Sequence, residues 1–164
     1  MIGAAEAPRL RSAYAHCEAL AQSHYENFPV ASRLMPAALR PHVAAIYAFA
    51  RTADDFADEP RYPDGDRLRL LGEWRARLHD RSDQANEFVA LHDTIDRFSL
   101  PLQLFDDLLD AFVQDVSVTR YETWAAVLDY CRRSANPVGR LVLMLNGYRD
   151  EQLCDASDAV CTAL

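Results

Sequence analysis

The stretch Arg51-Thr52-Ala53-Asp54-Asp55-Phe56-Ala57-Asp58-Glu59 concentrates four carboxylates in six positions, directly behind the apolar run Val43, Ala44, Ala45, Ile46, Tyr47 and Phe49. On a helix, Asp54 and Asp58 stand one turn apart on a single face, where like charges repel by a few tenths of a kcal/mol. They also fall at the expected helix C-terminus, where the peptide dipole favours cations. Two local rules are broken at one place, as happens where a site has a task. A divalent cation resolves the conflict: Mg²⁺ takes hard carboxylate oxygens, keeps several waters and shares its shell with phosphate oxygens. Arg51, one turn before Asp54, reaches the same phosphate as a charge-assisted donor. The competing reading is a solvated helix end with Arg51 paired to Asp55 at i,i+4.

The elements that must position these residues are helical. Ala, Leu, Arg, Glu and Asp dominate, there are only five glycines, and the alternating pattern of strands is missing. Leu104, Leu108, Ala111, Phe112 and Asp115 recur at helical spacing. Prolines mark the breaks. The pattern predicts helices over about 9–25, 41–58, 68–79, 84–97, 101–115, 122–146 and 150 to the end. A short turn is expected at Pro36, a loop over 59–66 and a polar turn over 80–83. Pro101 is expected at a first helical position. Pro137 is expected to kink the 122–146 helix near Arg133 by removing a hydrogen bond. The small residues Ser134, Ala135 and Gly139 allow another helix or a ligand to approach closely. The fold class is all-α.

Composition narrows the function classes. The chain has 164 residues, half of them hydrophobic and 26% charged, which suits a globular fold. Its formal net charge is −8 and no basic block exists, so binding to nucleic acid is not expected. Every basic side chain other than histidine is arginine. The N-terminus has neither a basic region nor an apolar core of the secretory type. The longest aliphatic run, Leu141 to Leu145, is too short to span a bilayer. Cys17, Cys131, Cys154 and Cys161 have no zinc or redox spacing and read as free thiols of a reducing cytosol.

At these residues the sequence resembles the squalene/phytoene synthase family, the head-to-head prenyl synthases. Asp54-Asp55-Phe56-Ala57-Asp58 matches the family's first aspartate-rich motif, with its Tyr-Ala-x-x-Arg lead-in at Tyr47, Ala48 and Arg51. His24-Tyr25-Glu26-Asn27-Phe28 falls where the family carries His-Ser-x-Ser-Phe; the histidine and phenylalanine are kept and the serines are not. Tyr130-Cys131-Arg132-Arg133-Ser134-Ala135-Asn136-Pro137-Val138-Gly139 resembles the signature Tyr-Cys-x-x-x-Ala-Gly-x-Val-Gly, with Asn136 for the glycine and Pro137 inserted. The segments at 25–32 and 49–55 look like the hydroxysqualene synthase branch of hopanoid biosynthesis.

The resemblance implies an isoprenoid synthase-type helical bundle around an apolar cavity. It implies Mg²⁺ at Asp54, Asp55 and Asp58. It implies a prenyl diphosphate substrate bound by His24, Phe28, Tyr47, Arg51 and Asp115, and catalytic roles for Tyr130 and Arg51. In the hydroxysqualene branch, presqualene diphosphate ionises, the cation rearranges, and water captures it without a hydride from NADPH. Such a cation needs a dry cavity with aromatic faces, and Phe28, Tyr47, Phe49 and Tyr130 are candidates for its wall. Alternatives are condensation of two prenyl diphosphates to squalene or phytoene, a non-catalytic fragment binding a prenyl lipid, and a metal-independent helical interaction domain. The family has a second aspartate-rich motif on a later helix. Residues 1–164 are therefore expected to form the N-terminal part of one larger domain. The expected location is cytoplasmic, with transient contact at the inner membrane face because substrate and product are oily. The sequence leaves the oligomeric state open.

Overall fold

The computed structural model describes residues 6–23 and 34–164. Among them are eight α-helices and no strand: α1 (Glu6–Ser23), α2 (Arg40–Asp58), α3 (Asp64–His79), α4 (Asn86–Phe98), α5 (Leu102–Asp115), α6 (Trp124–Ser134), α7 (Asn136–Leu145) and α8 (Glu151–Ala163). A 3₁₀ turn at Ala37–Leu39 follows Pro36 and leads into α2. Helix α2 is central: α1, α3, α4 and α5 all pack on it.

Two cores explain that arrangement. Phe49 of α2 is fully buried and stacks on Trp74 of α3 with ring centres 6.0 Å apart. It meets Phe88 of α4 at 6.2 Å and Phe105 of α5 at 5.6 Å, edge to face. Such pairs add about 0.5–1.5 kcal/mol each beyond area burial. On the other side of α2, Ala44, Ala45 and Ala48 meet Ala13, Cys17 and Ala21 of α1 and Ala90 of α4. Small side chains let these three helices approach closely.

A buried polar network ties the same three helices. The Tyr14 hydroxyl donates to Asp93 at 2.6 Å, and the Thr94 hydroxyl donates to the Ala90 carbonyl at 2.9 Å. Both hydroxyl protons are thereby spent. His42 Nδ1 lies 2.9 Å from the Tyr14 oxygen and 3.0 Å from the Thr94 oxygen, so it must be the donor. His42 carries its proton on Nδ1.

The segment expected as one helix over 122–146 is two. Pro137 has no N–H for the carbonyl of Arg133, and its ring would clash with that carbonyl. Helix α6 therefore ends at Ser134, and α7 starts at Asn136 with the proline in its first turn, where no donor is needed. This is a break rather than the expected kink. Helix α3 starts at Asp64, earlier than expected, because Asp64 and Asp66 in its first turn suit the dipole. Pro101 is the cap of α5 rather than its first residue. Gly139 supplies the close approach of α7 to α8: a Cβ there would clash with the Ser157 hydroxyl and lie 2.6 Å from Cys161 Sγ. All four cysteines are free thiols. No described helix is long and apolar enough to cross a membrane.

Candidate functional site

The turn of α2 that leads into the aspartates is held through its backbone carbonyls. The Trp74 indole N–H donates to the Phe49 carbonyl at 3.2 Å, and the Thr52 hydroxyl donates to the Ala48 carbonyl at 2.9 Å. At the far end, Arg67 Nη1 donates to the Ala57 carbonyl at 2.8 Å. Its other nitrogen pairs with Asp64 at 2.5 Å. A cation thus sits where the dipole wants one, and part of the conflict read in the sequence is resolved within the protein itself.

On the exposed side of α2, Arg51 pairs with Asp55 at 2.7 Å and with Asp54 at 3.4 Å. The Asp54 and Asp55 side chains keep 36% and 48% of their surface, enough to meet a ligand. The Arg51–Asp55 pair of the competing sequence reading is therefore present, but it leaves Asp54 and Asp58 stacked one turn apart. Glu59 turns away from them and chelates Arg61 at 2.7 and 2.8 Å. Among the described residues no three His, Cys, Asp or Glu side chains converge as a closed metal centre. The aspartate helix offers an open edge.

Helix α5 packs on α2, and α6 packs on α5. The Tyr130 hydroxyl donates to Asp115 Oδ2 at 2.8 Å. Burial pushes the Asp115 carboxyl above its ordinary value; Tyr130 and Arg133 pull it down, and the charge of Asp58 pushes it up. Asp58 and Asp115 are therefore electrostatic neighbours, and the second carboxylate adds to the demand for a cation. Burial first, and then Asp115, push the Tyr130 hydroxyl well above the usual phenol range. It stays protonated, a donor at neutral pH. The Tyr121 ring lies 5.2 Å from that of Tyr130. Arg133 donates to Gln114 Oε1 at 2.7 Å, and Gln114 Nε2 donates to the Tyr121 oxygen at 2.9 Å.

The structure thus holds Arg51, Asp54, Asp55 and Asp58 on α2, and bonds Tyr130 to Asp115 on the neighbouring α5. Tyr47 is partly buried and packs against the alanine-rich core of α1, α2 and α4. Phe49, expected on a cavity wall, is instead fully buried in the aromatic core. Asp110 lies on the surface and pairs with Arg75 at 2.5 Å. His24 and Phe28 fall outside the described residues. Sequence reasoning did not single out Arg67, Gln114 or Tyr121. Arg67 alone had a signal, being a basic residue shortly after an acidic helix end.

The family model of squalene/phytoene synthase matches residues 21–164. The chain belongs to the squalene/phytoene synthase family. It is 45% identical over 141 residues to hydroxysqualene synthase of Zymomonas mobilis, covering 85% of this chain and 47% of that one. It is 40% identical over 139 residues to hydroxysqualene synthase of Sinorhizobium fredii, with 85% and 47% covered. It is 30% identical over 139 residues to phytoene synthase of Mycobacterium tuberculosis, with 84% and 46% covered. The chain spans about half the length of these squalene/phytoene synthase relatives. The crystal structure of squalene synthase HpnC from Alicyclobacillus acidocaldarius superposes with a TM-score of 0.86 at 40% identity, covering 94% of this chain and 59% of that one. The isoprenoid synthase-type helical fold expected from the sequence is thereby borne out.

Proposed function

We propose that residues 1–164 are the N-terminal part of one squalene/phytoene synthase domain that ionises presqualene diphosphate and lets water capture the rearranged cation. The overall change is presqualene diphosphate plus water giving hydroxysqualene, diphosphate and a proton. The observation that carries this reading is the 40–45% identity to named hydroxysqualene synthases, against 30% to phytoene synthase.

Asp54, Asp55 and Asp58 would hold Mg²⁺ on the open edge of α2. Carboxylates from one helix edge alone, with no closed set of three or more converging ligands among the described residues, would leave room for waters and phosphate oxygens, which suits Mg²⁺. The bound ion would neutralise charge developing on the leaving diphosphate. Arg51, anchored between Asp54 and Asp55, is placed to donate to the same group. Tyr130, whose hydroxyl proton is directed to Asp115, would turn its ring and oxygen to the substrate side. His24, Phe28, Tyr47 and Asp115 complete the substrate side of the proposal.

Condensation of two prenyl diphosphates to squalene or phytoene is the second reading, favoured by the phytoene synthase relatives. The two differ in outcome from one substrate. In a chain completed to the relatives' length, presqualene diphosphate with Mg²⁺ and no NADPH gives hydroxysqualene under the first reading. Because substrate and product are oily, we place the enzyme in the cytoplasm with transient contact at the inner membrane face. Co-sedimentation with lipid vesicles checks this.

A further inference from the structure

We propose that Tyr121 donates its hydroxyl proton to an oxygen of the bound diphosphate, and that Gln114 and Arg133 are the positioning residues that turn this proton toward the ligand. The proposal deepens the reading of the aspartate edge as a diphosphate site and rests on it.

The direction of each hydrogen bond follows from donor chemistry. A guanidinium has donors only, so Arg133 fixes the Gln114 side-chain oxygen as the acceptor of the 2.7 Å contact. The Gln114 amide nitrogen must then face Tyr121, which it meets at 2.9 Å. An amide NH₂ cannot accept, so the Tyr121 oxygen accepts and its own proton is left over. Among the described residues no acceptor takes that proton: Gln114 is the one hydrogen-bond partner of Tyr121. The chain Arg133, Gln114, Tyr121 begins at a guanidinium, which also pairs with Asp129 at 3.0 Å, and each bond polarises the next.

The placement points to an anion on the aspartate side. The Tyr121 ring lies against that of Tyr130, which is bonded to Asp115. Asp115 in turn feels the charge of Asp58. A donor proton left over beside the Tyr130–Asp115 pair has no use for another cation. It suits the oxygen of a phosphate group held there by a metal. Arg51 would grip the group from α2 and Tyr121 from the α5–α6 side. Tyr121 and Tyr130 then have separate tasks, because the Tyr130 proton is already committed to Asp115.

The test is calorimetric titration of the chain completed to the length of its relatives with inorganic diphosphate in the presence of Mg²⁺. Tyr121→Phe should weaken binding by about tenfold or more, the size of a lost hydrogen bond to a charged group. Gln114→Glu should do the same with Tyr121 intact. A carboxylate still accepts from Arg133 but also accepts from Tyr121, turning the proton inward. Added charge could also weaken anion binding, and the double variant separates the two. If Gln114→Glu acts through the Tyr121 proton, it costs little more in the Tyr121→Phe background. Unchanged affinity in Tyr121→Phe, or additive losses in the double variant, overturns the proposal. If the unaltered chain shows no Mg²⁺-dependent diphosphate binding, the reading of the aspartate edge fails, and this proposal fails with it.

Discussion

Arg67 Nη1 donates to the Ala57 carbonyl at 2.8 Å, one residue before Asp58. The aspartate helix therefore ends on a guanidinium brought from the next helix. The contact offsets both the bare carbonyl and the negative end of the dipole.

Arg67→Gln should cost about 1 kcal/mol, because the side chain is mostly buried and its charge faces the last turn. Urea unfolding measures the total. Amide exchange localises it, with faster exchange expected over 55–59 and little change in α4 or α5. Unaltered exchange at that turn would mean that Arg67 does not hold it.

Gly139→Ala should destabilise the contact between α7 and α8. The added methyl would meet the Ser157 hydroxyl and lie 2.6 Å from Cys161 Sγ, so both side chains must turn away or the helices must part. Overpacking of this kind costs about 1–3 kcal/mol. Combining it with Ser157→Ala and Cys161→Ala should recover part of the loss, a non-additivity that a thermal or urea midpoint series would show.

Stability should fall as the solution is acidified below the ordinary histidine value. Burial lowers His42 and His92; nearby Arg97 adds to the effect at His42, while the Leu78 carbonyl opposes it at His92. The unfolded chain takes up protons from 6.5 downward that the native fold refuses, so the stabilisation is full above that value and is lost toward lower pH. The urea midpoint should be lower at pH 5.5 than at pH 7.5. His92→Gln, which keeps a donor for the Leu78 carbonyl, should flatten the difference.

Most of the fold was legible because helix signals are local. Proline positions and apolar spacing located every described helix to within a few residues. The miss over 122–146 had its cause in plain view: Pro137 excludes a hydrogen bond to Arg133, and here the chain breaks rather than bends. The site was half legible. Asp54 and Asp58 share a helix, so their spacing carries their geometry. The place of Asp115 and Tyr130 depends on how α5 packs against α2 and α6 against α5, which no single-helix pattern encodes. Phe49 shows the same limit in reverse. The need of a cation for aromatic faces made it a candidate for a cavity wall, whereas α2 turns it into the ring cluster of Trp74, Phe88 and Phe105.

The most direct measurement is product analysis of presqualene diphosphate incubated with Mg²⁺, without NADPH, and the chain completed to the length of its relatives. The account predicts hydroxysqualene as the product. It also predicts a rate that falls on the order of a hundredfold or more in Asp54→Asn and Asp58→Asn. No hydroxysqualene, or a rate indifferent to both substitutions, would contradict it.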